Sequence, residues 1–87
     1  MTNTYDPDSV SPPGETITEL MLDNRMSFSA FCVKHDIGPQ YMAKVLVGQE
    51  PLTPELIEAL CSEFDTSNVF WIARDRRYWE WKNANPR

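Results

Sequence analysis

The side chains able to do covalent or metal chemistry are few. The chain holds one histidine, His35, and two cysteines, Cys32 and Cys61. The cysteines lack the CxxC spacing of a zinc or redox site, and a single imidazole cannot complete a ligand set with them. Each lies in an apolar helical pattern, so both read as buried thiols acting as small hydrophobes. No serine or cysteine is arranged with a base in a nucleophilic set, and no glycine-rich loop is built to cradle a phosphate. The expectation is therefore no enzyme, no metal and no cofactor. The chemistry left is recognition. Gln40, Tyr41 and Lys44 are polar or amphipathic residues on the outward side of a short helix, beside the apolar positions Met42, Val45 and Leu46.

Those residues need a scaffold, and the punctuation of the sequence supplies five helices. Ser11, Pro12 and Pro13 mark a helix start, and Ile17, Leu20 and Met21 give a helix over 13–24 one apolar face. Ser27 is a good N-cap for a second helix over 28–35, with Phe28, Phe31 and Cys32. Asp36-Ile37-Gly38 breaks the chain, since Asp tolerates the left-handed conformation and Gly suits the next N-cap. Ile37 is then expected to plug the core. Pro39 opens a third helix that ends at Val47, before a glycine cap at Gly48. Thr53 caps a fourth helix, begun by Pro54, with Leu56, Ile57, Leu60, Cys61 and Phe64 as its stripe. A fifth covers 68–81 and carries Trp71 and Tyr78 on one face. The fold expected is all-α and single-domain over 13–81, with residues 1–12 a disordered arm and 82–87 a frayed tail.

The charge is uneven. Residues 1–65 set Arg25, Lys34 and Lys44 against eleven carboxylates, a net of −8. Residues 66–87 set Arg74, Arg76, Arg77, Lys82 and Arg87 against Asp75 and Glu80, a net of +3. An overall charge of −5 argues against broad nucleic-acid affinity, because phosphate contacts come from Lys and Arg. The basic end is either a contact surface or a solvated helix face. With no apolar run long enough for a membrane and no basic, apolar leader, the expected location is the cytoplasm.

Two short helices, a three-residue break and a polar outward face form the arrangement that lays one helix across a duplex and projects the next into the major groove. Here the chain resembles the repressor-type, lambda-repressor-like (XRE) helix-turn-helix proteins, and within them the HigA-type antitoxins. Pro13-Gly14-Glu15 is similar to the family's Pro-Gly-Glu, and Met26-Ser27 to its Leu-Ser. Val45-Leu46-Val47-Gly48 and Leu52-Thr53-Pro54-Glu55-Leu56 resemble its Ile-Leu-Asn-Gly and Ile-Thr-Pro-Glu-Leu. Thr66-Ser67, Phe70-Trp71 and Tyr78 resemble its Thr-Ser, Phe-Trp and Tyr, so the likeness spans residues 13–78.

The resemblance implies a sequence-specific DNA-binding dimer that represses its own operon and neutralises a toxin. It implies a recognition helix at 39–47 with Pro39, Gln40, Tyr41 and Lys44 at the DNA, and Ser27, Phe28 and Gln49 at the phosphate backbone. A glutamine there pairs with adenine through both its amide groups. The chain also departs from the pattern. Phe28, Pro39 and Val47 are apolar where the family commonly has polar DNA contacts, and Asp36 replaces the turn glycine. These changes suit a second reading, a protein-interaction module whose apolar face binds a toxin or host enzyme. His35, at a position usually leucine in the family, reads as a partly buried structural residue. Trp79 and Trp81 cannot both share the face of Trp71 and Tyr78. They are expected at a homodimer interface through the last helix.

Overall fold

The computed structural model describes residues 10–84, and these form five helices with no strand among the described residues. They are α1 (Pro13–Asp23), α2 (Phe28–His35), α3 (Pro39–Leu46), α4 (Pro54–Phe64) and α5 (Asn68–Ala84). The starts follow the local chemistry. Ser27 Oγ accepts from Ala30 N at 3.0 Å, Thr53 Oγ1 from Leu56 N at 3.2 Å and Ser67 Oγ from Phe70 N at 3.1 Å. Each such cap stabilises by about 1 kcal/mol. Pro13, Pro39 and Pro54 occupy first turns, where a missing amide costs nothing. The cap of α1 is Pro12 rather than Ser11, with no side-chain bond.

Three ends share one device. Ile37 N reaches back to Cys32 O at 2.9 Å, Gln49 N to Lys44 O at 2.8 Å and Met26 N to Met21 O at 2.8 Å. The residue before each is left-handed: Asp36 at φ 55°, Gly48 at φ 78° and Arg25 at φ 55°. This six-to-one bond satisfies the last carbonyls of the helix. Asp36 and Gly48 are residue types that tolerate the conformation; Arg25 is not, and costs about 1 kcal/mol in the process. Asp65 ends α4 in the same conformation.

Every helix contributes to one core. Ile17, Phe31, Met42, Val45, Leu56, Leu60 and Trp71 are fully buried, and Phe31 stacks on Phe64 with centroids 5.9 Å apart. Ile37 is buried between α2 and α3, as expected. Trp71 Nε1 donates to Thr66 Oγ1 at 2.6 Å, and that hydroxyl donates to Leu60 O, so the indole enters the core with its polar atom paired.

Three boundaries differ from the sequence reading. α1 and α3 each stop one residue early. α5 continues through 82–84, residues expected to fray, because Lys82 Nζ donates to Gly48 O at 3.2 Å and lies over the rings of Trp79 and Tyr78. Within the expected arm, residues 1–9 lie outside the described residues. Pro12, however, is half-buried against Gly48, and its carbonyl accepts from Glu15 N and Arg74. The fold therefore begins before residue 13.

Candidate functional site

The site expected from the sequence is the surface of α2, the 36–38 turn and α3. What fixes it lies behind α3. Gly14, in the first turn of α1, meets the backbone of Leu46 so closely that a Cβ would overlap it. Tyr78 OH donates to Gly48 O at 3.0 Å, and Lys82 donates to the same oxygen. The C-terminus of α3 thus abuts α1 and α5, with a cation near its negative end. The N-terminal approach of α4 is fixed by Tyr41. Its hydroxyl donates to Pro51 O at 2.6 Å and accepts from Thr53 N at 3.0 Å.

The seven expected DNA-contact residues separate by what they already do. Gln40, Lys44, Pro39 and Gln49 are exposed. Tyr41 is half-buried with its hydroxyl engaged twice, which makes it a clasp between α3 and α4 rather than a free reader. Ser27 is exposed, and its oxygen caps α2. Phe28 packs against the core, so it offers only part of a face. Ala43 and Val47, also exposed on or just after α3, place apolar surface beside Gln40 and Lys44.

Charge on this unit is mixed. Lys34 Nζ lies 3.0 Å from Glu63 Oε1, and His35 Nε2 lies 2.9 Å from the same oxygen. Hydrogen bonds from His35, then Lys34, hold the Glu63 carboxyl below its usual range. His35 also packs on Phe31 with centroids 4.7 Å apart, the structural role expected of it. Cys32 is buried, which pushes its thiol up. Cys61 is only half-buried, and its Sγ bonds Asn68 Oδ1 at 3.1 Å. No group of three metal-binding side chains occurs among the described residues, and none of their helices is long and apolar enough to cross a membrane.

The basic end of the chain divides as well. Arg74 is half-buried toward Pro12 O and over the ring of Phe70, while Arg76 and Arg77 are exposed. Trp79 and Trp81, the expected interface residues, are half-buried within this chain, and Trp79 Nε1 donates to Asp75 Oδ1 at 3.0 Å. The exposed large apolar residues of α5 are Val69, Phe70 and Ile72 at its other end. No family model matches the chain, and no curated protein matches it.

Gly14, Tyr41 and Lys82 are positioning residues that the sequence alone does not mark as such. A glycine in the first turn of a helix was the available signal for Gly14, because it marks close backbone approach. Tyr41 and Lys82 act on carbonyls elsewhere in the chain, and no local pattern announces that.

Proposed function

We propose that this protein is a sequence-specific double-stranded DNA-binding regulator, antitoxin-like and autorepressing, with α2 and α3 as a lambda-repressor-like helix-turn-helix. The observation carrying the reading is the anchored α3. Its C-terminus is fixed from behind by Gly14, Tyr78 and Lys82, while Gln40 and Lys44 are left exposed. A rigid helix with a free polar face is what groove reading requires. Gln40 supplies base readout, and Lys44 supplies a phosphate contact. Tyr41 contributes by holding the loop that carries Gln49.

The test is selection from a random duplex library, followed by titration of the winning site. Lys44→Ala weakens binding to all duplexes alike and reduces the salt slope by about one unit. Gln40→Ala costs about 1–3 kcal/mol on the selected site alone. A chain that binds no duplex at low salt sinks the proposal.

A second reading has its own observation. Val33 on α2 is 82% exposed and Val47 is 63% exposed, on the same two-helix unit as Pro39. Such surface suits a protein partner, a toxin or host enzyme, better than a phosphate backbone. Val47→Asp discriminates: it abolishes a protein complex through this face and leaves the melting temperature nearly unchanged. Phe28 is the poorer choice, since it packs against the core.

A further inference from the structure

α5 borders two openings of unlike chemistry. With α4 it walls an open groove of about 680 Å³, whose apolar surface comes from Leu52, Ile57, Cys61 and Ile72. A different face of α5, toward the start of α1, lines a polar recess of about 490 Å³. Arg74 and Arg77 stand there three residues apart, on one side of the helix. Arg77 is exposed and Arg74 half-buried, and neither is in an ion pair among the described residues. A guanidinium offers five N–H donors in a planar fork. Among the described residues, that of Arg74 makes one hydrogen bond, from Nη2 to Pro12 O at 3.5 Å, longer than such bonds usually are. Its Nε is buried without an acceptor, the one side-chain atom of that kind among the described residues. A buried donor of a charged group is costly while unpaired. An oxyanion meeting the Nε edge of the fork removes that cost with two parallel bonds.

The rest of the lining narrows the class of ligand. Ser11 and Thr16 bring hydroxyls to the recess. Two guanidiniums and two hydroxyls match the three terminal oxygens of a phosphate better than the pair on a carboxylate. A phosphate monoester carries a charge of about −1.5 to −2 at neutral pH, which suits two arginines. Glu15 lines the recess as well. Its carboxylate repels a bare phosphate, but it can accept from an amine on the same molecule. We propose that the recess binds a small phosphate monoester that carries an amine, with the phosphate on Arg74 and Arg77 and the amine on Glu15. No residue of α2 or α3 lines the recess, so the site stands whether or not α3 reads DNA.

Nitrogen-15 NMR titration of the full chain tests it, with inorganic phosphate and phosphoethanolamine as probes and chloride as the control anion. The Arg74 Nε–H signal is the direct readout, because that group gains an acceptor. The expected result is a saturable shift with both probes, at lower concentration for phosphoethanolamine, and none with chloride. Arg74→Lys keeps the charge, loses the fork and weakens both probes about tenfold. Arg77→Gln, at an exposed position, weakens both by about threefold. Glu15→Gln separates the two halves of the ligand: phosphate binds more tightly and phosphoethanolamine loses its advantage. Circular dichroism melts confirm that each variant is folded. An Arg74 signal that moves no further with phosphate than with chloride overturns the proposal. So does binding that ignores Arg77→Gln, or a phosphoethanolamine preference that survives Glu15→Gln. A short duplex that displaces phosphoethanolamine from Arg74 also overturns it, and makes the recess a backbone contact. Binding seen only after Asp6→Asn with Asp8→Asn overturns it in favour of the chain's own carboxylates.

Discussion

The junction at Gly48 and the groove between α4 and α5 are built on opposite terms. At the junction, two helices converge on the end of a third, and every polar group named there has a partner. Gly48 O takes two donors, from Tyr78 and Lys82, and Gly14 lets α1 touch the backbone of Leu46. At the groove, α4 and the first half of α5 diverge and leave Ile72 half-exposed. A site that must hold one geometry is over-determined by backbone contacts. The groove is crossed by the bond from Leu52 N to Asp75 and otherwise leaves apolar wall open. The same helix serves both, its C-terminal half at the junction and its N-terminal half at the groove.

Substitutions can break that contrast, and the largest effect belongs to Gly14. In an open helix, Gly→Ala stabilises by about 1 kcal/mol. Here the sign reverses, because the new Cβ meets backbone atoms that cannot turn aside. Gly14→Ala is expected to destabilise by about 2–3 kcal/mol, as overpacking does, read from urea denaturation midpoints. A gain in stability would show that α1 is free to move away from α3.

Tyr41→Phe comes next. It removes the donor to Pro51 O and the acceptor for Thr53 N, for a loss of about 1 kcal/mol. Hydrogen exchange at the Thr53 amide accelerates in the same variant. An unchanged exchange rate would return Tyr41 to the role of free reader.

The contrast also explains what was legible in the sequence. Ser27, Thr53, Asp36, Gly48 and the three first-turn prolines act through neighbours in the chain, so local pattern places α2, and the start of α4, to the residue. Trp71 and Tyr78 could be assigned to the core because they share a helical face. The run Val69-Phe70-Trp71-Ile72 could not be sorted further: four consecutive apolar residues have no period, and only packing shows that Trp71 goes in while the others stay out. Tryptophan's size points instead to Trp79 and Trp81, which are half-buried within the chain. The grip of Lys82 on Gly48 joins residues far apart in the chain, so an apparent tail turned out to be helix.

At the groove, Ile72→Asp is expected to change the melting temperature of the dilute protein little, since partly exposed sites away from caps and cores shift stability by about 0.5 kcal/mol or less. A large drop would mean that the groove wall belongs to the core after all.

The smallest effects concern two carboxylates whose titrations oppose one another. Glu63 is held low by His35 and Lys34. Its stabilisation is present above the unfolded value of about 4.3 and is lost as pH falls through the lower folded value. Asp75 is held high, chiefly by burial, against the bonds from Leu52 and Trp79. Its preference for the protonated form favours folding below about 3.9, and that advantage is lost as pH rises through the higher folded value. Denaturation midpoints followed from mildly acidic pH down to below the ordinary carboxylate range should therefore lose an acid-side decline in Glu63→Gln. They should lose part of a compensating rise in Asp75→Asn. Identical profiles for the two variants would contradict both assignments.

All three tryptophans of the chain lie in α5. Tryptophan fluorescence, selectively excited, is consequently a one-helix instrument. Trp71 reports from a fully buried site beside Thr66, and Trp79 from beside a carboxylate, whereas α2 and α3 carry no tryptophan. A molecule landing on Gln40 and Lys44 touches no tryptophan. A change in emission on such binding is relayed through the fold, by the Gly48 carbonyl to Tyr78 and Lys82 or by Tyr41, the 51–53 segment and Asp75 to Trp79. The intensity of an unlabelled sample would then register how stiffly one end of the molecule is geared to the other.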